Sequence, residues 1–210
     1  ENSIDSKCNK VTVEIVSGGI KKILVSDDGR GIDEQYLEKA VQKHATSKMH
    51  SASLKNINSL GFRGEALYAI ANASELTIIS RNKEMSEARE LKVLFGKVIK
   101  NTPAKGNYGT TVIVEDLFKK LPVRRKFLNT DRAEGLAIKN LIKKIALAYP
   151  AITFRFIEDG KEKLLLYGDK TDKAEKKRIG EIIGLDFLTS SIYISNESNE
   201  FSIRLYASIP

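Results

Sequence analysis

One cysteine, two histidines and no apolar run near the roughly 20 residues that span a bilayer set the first limits on this chain of 210 residues. The single thiol, Cys8, excludes an internal disulfide, and with only His44 and His50 beside it a Cys/His metal site or His-dependent chemistry lacks its donors. No Gly-x-x-x-x-Gly-Lys-Ser/Thr loop is present, which excludes a P-loop nucleotidase, and neither a Gly-x-Ser-x-Gly elbow nor a His-Glu-x-x-His pair occurs. A charged-then-apolar leader is missing as well. The chain opens on Glu1, and Asn2-Ser3-Ile4-Asp5 reads as the middle of an element, so a fragment of a longer protein is the expectation. With 41% hydrophobic and 30% charged residues, the composition is that of a soluble, cytosolic globular protein holding one core and a piece of another.

Along the chain, Val11–Val16 alternates apolar and polar, Ser17-Gly18-Gly19 turns, and Lys22–Ser26 returns as a hairpin with one buried face. Asp33 is placed to cap a helix running through Lys43, with Leu37, Ala40, Val41 and His44 at helical spacing. Ala45–Leu60 is polar and aperiodic, a long loop of the size that forms lids and binding segments. Glu75–Arg81 and Gly109–Glu115 read as strands joined by a polar stretch containing Gly96, Pro103 and Gly106. The clearest helix is Ala133–Tyr149, where Ile138, Leu141, Ile142, Ile145 and Tyr149 form a stripe away from Lys139, Lys143 and Lys144. A second hairpin, Ile152–Ile157 with Glu162–Tyr167, precedes a helix at Lys173–Ile183, and Ser191–Ser195 and Phe201–Ser208 read as the opening strands of another sheet.

Two blocks carry the chemistry. Asp27-Asp28-Gly29-Arg30-Gly31 ends the apolar run Ile23-Leu24-Val25, which puts a carboxylate at a strand end where it can accept from an amine such as that of adenine. Asp28 and Arg30 read as surface turn residues. Gly61-Phe62-Arg63-Gly64-Glu65 leads into the helical run Ala66–Ala71, whose open N-terminal amides suit phosphate oxygens. Asn2 offers a neutral carbonyl oxygen to a magnesium ion also held by phosphates, or else caps its helix, and shares a face with Asp5 and Ser6. Thr46-Ser47-Lys48 bring hydroxyls and an ammonium toward ribose and phosphate, and Thr111 could reach the base edge or simply be a strand residue. Net charge is +8, and Leu117–Ile145 holds nine Lys/Arg against two acids, which indicates either a polyanion partner or a solvated basic face.

The order Glu1-Asn2-Ser3-Ile4-Asp5, Asp27-Asp28-Gly29-Arg30-Gly31-Ile32, His44-Ala45-Thr46-Ser47-Lys48, Gly61-Phe62-Arg63-Gly64-Glu65-Ala66-Leu67 and Gly109-Thr110-Thr111-Val112 resembles the MutL family of DNA mismatch-repair ATPases. That family sits with gyrase B, Hsp90 and histidine kinases in the GHKL superfamily. The resemblance runs past Arg124-Arg125-Lys126-Phe127-Leu128 and more faintly to the end. It implies an α/β (α+β) sandwich: a mixed, mostly antiparallel sheet covered on one face by helices, with residues 1–184 as the ATP-binding domain and 185–210 opening a second α/β domain.

By the same resemblance ATP and Mg2+ are the cofactors. Asn2 would ligate the metal, Asp27 would accept from adenine, Gly31 and Thr111 would lie at the base, and Ser6 and Ile32 would also contact ATP. Thr46, Ser47 and Lys48 would sit near ribose and phosphates, and the amides of Gly61, Phe62, Arg63, Gly64, Glu65, Ala66 and Leu67 would wrap the triphosphate. The lid would order around ATP and the chain would pair as a homodimer or heterodimer. Arg124, Arg125, Lys126, Lys139, Lys143 and Lys144 would contact DNA backbone, and a mismatch-recognition protein of the MutS type would be a partner, with no membrane involved. Localisation would be cytoplasmic in a bacterium and nuclear in a eukaryote.

The family's general-base Glu lies four residues before the Asn, ahead of Glu1, and its phosphate-sensing Lys comes from beyond Pro210, so binding with impaired turnover is expected. Glu1 cannot substitute, since adjacent helix residues point about 100° apart. Ser6 stands where Ala is usual, Lys7-Cys8-Asn9 replaces Gly-Ala, and Lys119-Lys120-Leu121-Pro122-Val123 departs from Tyr-Asn-Thr-Pro-Ala. The alternatives are another GHKL ATPase of the gyrase, Hsp90 or histidine-kinase type, or a non-enzymatic DNA-binding or dimerisation module with nucleotide as a structural ligand.

Overall fold

The first hairpin forms where alternation demands it. β1 (Lys10–Val16) and β2 (Lys22–Asp27) pair antiparallel in the computed structural model, which describes residues 1–43, 60–61, 64–198 and 201–208. Register puts Val11, Val13 and Ile15 opposite Asp27, Val25 and Ile23, so all six share one face. The turn between them is a 3₁₀ segment, Ser17–Gly19. Gly18, at φ +61°, is required there, because a Cβ would lie 2.4 Å from the Asp131 carbonyl oxygen at the start of the long helix.

β2 pairs on its other side with β6 (Gly109–Glu115), which pairs with β3 (Glu75–Arg81), both antiparallel. The stretch between β3 and β6, expected as polar connection, is instead a hairpin of β4 (Ala88–Leu94) and β5 (Lys97–Ala104). β5 escapes a periodicity reading because it is an edge strand with solvated lysines and a proline, the composition that blunts a sheet edge. Its turn, Phe95-Gly96, has both residues at positive φ, the geometry of tight hairpins. At the far side β7 (Thr153–Glu158) runs parallel to β1 and pairs with β8 (Lys161–Leu166), completing an eight-stranded mixed sheet in the order β5-β4-β3-β6-β2-β1-β7-β8.

Helices cover one face of this sheet. α5 (Asp131–Ala148), capped by the Thr130 hydroxyl, buries Ile142 and Ala146 against Val11, Ile15, Phe154 and Phe156. α2 (Glu34–Leu37), capped by Asp33, and α3 (Ala66–Ala73) bury Leu37 and Ala71 with Val41 over Leu76, Ile78, Leu91 and Val93. The helix expected from Asp33 to Lys43 is thus a single α-turn followed by a 3₁₀ segment, Lys39–Val41. Leu37 and Val41 still reach the core from both pieces, whereas His44 lies outside the described residues. α1 (Asn2–Asp5) is one turn, and α4 (Pro122–Arg125), absent from the sequence reading, is another.

α6 (Ala174–Ile182) is pinned by Arg178, 1% exposed, whose guanidinium donates to the carbonyls of Ala146, Pro150, Ile152 and Tyr167. α7 (Leu185–Thr189) then leads to β9 (Ser191–Glu197) and β10 (Ser202–Ser208), a separate two-stranded antiparallel sheet. Among the described residues no helix is long and apolar enough to cross a membrane.

Candidate nucleotide site

Asp27 is the last residue of β2 and lies on the helix-covered face, continuing the row Ile23-Val25. Its Oδ1 accepts the amides of Gly29 at 3.0 Å and Thr110 at 3.3 Å, and Ser6 Oγ approaches the same oxygen at 3.4 Å. The Ser6 hydroxyl has a shorter bond to the Ser3 carbonyl, 2.6 Å, so its proton is committed within α1. Asp27 Oδ2 has no hydrogen-bond partner among the described residues and remains the acceptor free for an amine. Close packing around the carboxylate explains two glycines. A Cβ on Gly29 would meet Ser6 Oγ at 1.8 Å, and one on Gly109, at φ +105°, would meet the Asp27 carbonyl oxygen at 2.0 Å.

The turn that follows is tied to the end of β3. Gly31, at φ +73°, sits against the Arg81 carbonyl, the Ile32 amide donates to Ser80 Oγ at 2.8 Å, and Ser80 Oγ is 2.8 Å from Thr110 Oγ1. Ser80, Thr110 and Asp27 therefore form one polar row on one face. Thr111 is not brought to Asp27. Side chains alternate along a strand, so it points to the opposite face, where its hydroxyl bonds Ser26 Oγ at 2.8 Å. Asp28 and Arg30 are exposed turn residues, as read from the sequence, although Asp28 Oδ1 also gathers the Asn9 and Lys10 amides at 2.8 Å each.

The second block meets the first through α1. The Asp5 carboxylate accepts the amides of Leu60 and Gly61, and the Ser6 carbonyl accepts that of Arg30. Gly64 is at φ +63°, and Glu65, the N-cap of α3, contributes no side-chain cap to the amides of Ala66 and Leu67. Asn2 opens the same turn that holds Asp5 and Ser6. Thr46, Ser47, Lys48, Phe62 and Arg63 lie outside the described residues. The carboxylates of the turn are felt by buried Cys8, whose thiol is pushed up from its ordinary 9.0 to about 11, chiefly by burial and then by the charges of Asp27 and Asp28.

Away from these residues, α4 and the loop after it expose Arg124, Arg125 and Lys126 beside Phe127, which is 82% exposed. On α5, Lys144 is exposed while Lys139 and Lys143 are half-buried.

This architecture has relatives. The family described as histidine kinase-, DNA gyrase B- and HSP90-like ATPases matches residues 1–107. The DNA mismatch repair protein MutL of Rickettsia bellii (strain OSU 85-389) is 41% identical over 212 aligned positions, covering all of this chain and 35% of that protein; MutL of Rickettsia prowazekii (strain Madrid E) is also 41% identical, with 36% of its length covered. The ATPase domain of Aquifex aeolicus MutL complexed with ADP superposes with a TM-score of 0.76 at 32% identity, over 99% of this chain and 72% of that one. The chain belongs to the MutL family, within the histidine kinase-, DNA gyrase B- and HSP90-like ATPases. It spans about a third of the length of these curated MutL relatives.

Its fold is that of MutL ATPase domains, the mixed eight-stranded sheet with helices on one face. No cluster of three or more His, Cys, Asp or Glu able to hold a metal occurs among the described residues. Asn2, at the start of α1, carries a neutral side-chain carbonyl oxygen of the kind that would suit a magnesium ion retaining most of its waters. At the candidate site, Thr110, Ser80 and the contacts of Asp5 escaped the sequence reading, because each depends on long-range pairings that no local pattern shows.

Proposed function

We propose that this chain is the N-terminal ATPase region of a MutL-type mismatch-repair protein, an ATP-driven switch coupling recognition of a mismatch to strand removal. The observation that carries the reading is the Asp27 carboxylate, fixed through Oδ1 by the Gly29 and Thr110 amides and open at Oδ2, tied through Ser6 and Asp5 to the glycine block ahead of α3, whose N-cap makes no side-chain cap. The fixed carboxylate accepts from the adenine amine, Gly31 and Ile32 line the base, and the Thr110 hydroxyl stands at its edge. The amides from Gly64 to Leu67, joined by Phe62 and Arg63, hold the phosphates in an arrangement that costs no reorganisation when charge shifts during hydrolysis. Thr46, Ser47 and Lys48 contact ribose and phosphate. Asn2 would hold a magnesium ion, which supplies charge neutralisation at the phosphates.

Binding orders the lid and brings two chains together, and hydrolysis releases them. Residues 1–184 form the nucleotide domain and 185–210 open the next. Glu1, at the N-cap position of α1, directly precedes Asn2 rather than lying a turn away, so it is not placed to activate water beside it. Exposed Arg124, Arg125 and Lys126, with Lys139, Lys143 and Lys144, contact DNA phosphates without reading sequence. A mismatch-recognition protein of the MutS type is the upstream partner, and in a bacterium the cytoplasmic nucleoid is the place of action.

Calorimetry with a non-hydrolysable ATP analogue and magnesium tests the nucleotide reading. Binding by the chain and its loss in Asp27→Asn is the expected result; equal binding by both would remove Asp27 from the adenine pocket. For DNA, affinity should fall steeply with salt, and Arg124→Glu with Arg125→Glu should flatten that slope. A slope unchanged by the double substitution would place the DNA contacts elsewhere.

A further inference from the structure

We propose that Asp5 is a positioning residue, whose carboxylate clamps the head of the glycine block to the helical turn carrying Asn2 and thereby sets the phosphate end of the site; this rests on the nucleotide reading above. Asp5 Oδ1 accepts the Leu60 amide at 3.0 Å and Oδ2 accepts the Gly61 amide at 3.2 Å. One oxygen serves each amide, a pairing that needs both oxygens of an ionised carboxylate as acceptors and is stronger than a neutral bond.

The next residue tethers the other block. The Ser6 carbonyl accepts the Arg30 amide at 3.1 Å, its Oγ lies 3.4 Å from Asp27 Oδ1, and Gly29 is packed tightly against it. Asp5 and the C-cap Ser6, consecutive at the end of α1, therefore join the base-binding turn and the glycine block, which are about thirty positions apart in sequence. α1 itself is a single turn with no side-chain cap and no fully buried residue, too short to be stable alone. These tethers act together with the packing of Ile4 against the core in fixing its place. Asn2 and Asp5 are three residues apart and share a helical face, so moving the clamp moves the Asn2 oxygen relative to the block. The Leu60 and Gly61 amides are engaged with protein, and this directs the phosphates toward Gly64 and the first turn of α3.

Asp5→Asn sets a side-chain NH2 against one of the two amides and so breaks half of the clamp. Three readouts are expected by calorimetry and amide exchange. Affinity for the magnesium complex of a non-hydrolysable ATP analogue falls at least about tenfold, affinity for adenosine stays within about twofold, and exchange at the Leu60 and Gly61 amides without nucleotide speeds by about tenfold or more. Asp5→Glu, which keeps the charge, recovers part of the analogue affinity. An unchanged analogue affinity in Asp5→Asn overturns the proposal, and so does an equal loss for adenosine, which a merely structural role would give. If the unsubstituted chain binds neither ligand, the nucleotide reading fails and the positioning role with it; if it binds and the variant binds equally, only the role of Asp5 fails.

Discussion

Asp27 and Thr110 face each other across β2 and β6 on the helix-covered side of the sheet, with the Thr110 amide 3.3 Å from Asp27 Oδ1 and the Thr110 hydroxyl 2.8 Å from that of Ser80. Thr111, one residue later, bonds Ser26 on the opposite side. The two threonines should therefore behave differently. Thr110→Val removes the hydroxyl beside the proposed base position and one of the three partners of Ser80 Oγ, and is expected to weaken ATP-analogue binding about tenfold. Thr111→Val loses only a half-buried Ser–Thr pair and should leave affinity within about twofold, with a stability change of about 1 kcal/mol or less. Titration of both variants with the analogue decides it, and a larger loss in Thr111→Val would reverse the assignment.

Gly109 and Gly160 both have positive φ, +105° and +74°, yet only one is crowded. A Cβ at Gly109 would lie 2.0 Å from the Asp27 carbonyl oxygen, whereas one at Gly160, in the β7–β8 turn, has nothing within 4 Å. Gly160→Ala should cost about 1 kcal/mol from backbone conformation alone. Gly109→Ala adds a clash with a backbone that cannot yield, and about 2–4 kcal/mol is expected together with loss of analogue binding. Urea unfolding measures both, and equal costs would show that the β2–β6 seam relaxes.

Much of this fold was readable because its inner strands obey period two and its long helix carries an apolar stripe. Val11–Val16, Glu75–Arg81, Gly109–Glu115 and the long helix all lie where alternation and the stripe put them, within two residues, although Leu141 of that stripe faces solvent and the Thr130 cap was not read. The β4–β5 hairpin was not readable, since an edge strand solvates side chains that an inner strand would bury, and Lys97–Ala104 carries no apolar face to detect. In the candidate site, the blocks around Asp27 and Gly64 announce themselves through glycine spacing. Thr110, Ser80 and Asp5 do not. Their places follow from which strands and turns become neighbours, and a chain read linearly does not state that Leu60 will lie beside Asp5.

Arg178 has no part in the candidate site but holds the segment after β8 to the sheet. Its guanidinium serves four backbone carbonyls, and Glu181 Oε2 lies 3.4 Å from Nε, while burial lowers its pKa against the opposing pull of Glu181. Arg178→Met would leave carbonyls of Ala146, Pro150, Ile152 and Tyr167 without this donor, and about 3–5 kcal/mol of stability should be lost. Arg178→Lys keeps charge but not the planar fork, so it should recover only a fraction. A loss under about 1 kcal/mol in urea unfolding of Arg178→Met would mean that water replaces the guanidinium at these carbonyls.

Cys8 should make stability fall in alkali. The thiol ionises near 9.0 when unperturbed but at about 11 in the folded chain, because burial and then the charges of Asp27 and Asp28 oppose a thiolate there. Below pH 9 both folded and unfolded chains hold the proton, and the thiol adds no pH dependence. Between about 9 and 11 the unfolded chain has released a proton that the native state still binds, so stability declines as pH rises, by at most about 1.4 kcal/mol per unit, and the effect levels off above that window. Lysines and tyrosines titrate in the same range, so the thiol is isolated by difference. Urea unfolding of the chain and of Cys8→Ala from pH 8 to 11 should give curves that run parallel below pH 9 and converge or cross above it, as the parent alone loses the thiol's share. Parallel curves over the whole range would show that Cys8 ionises as readily in the folded chain as in the unfolded one.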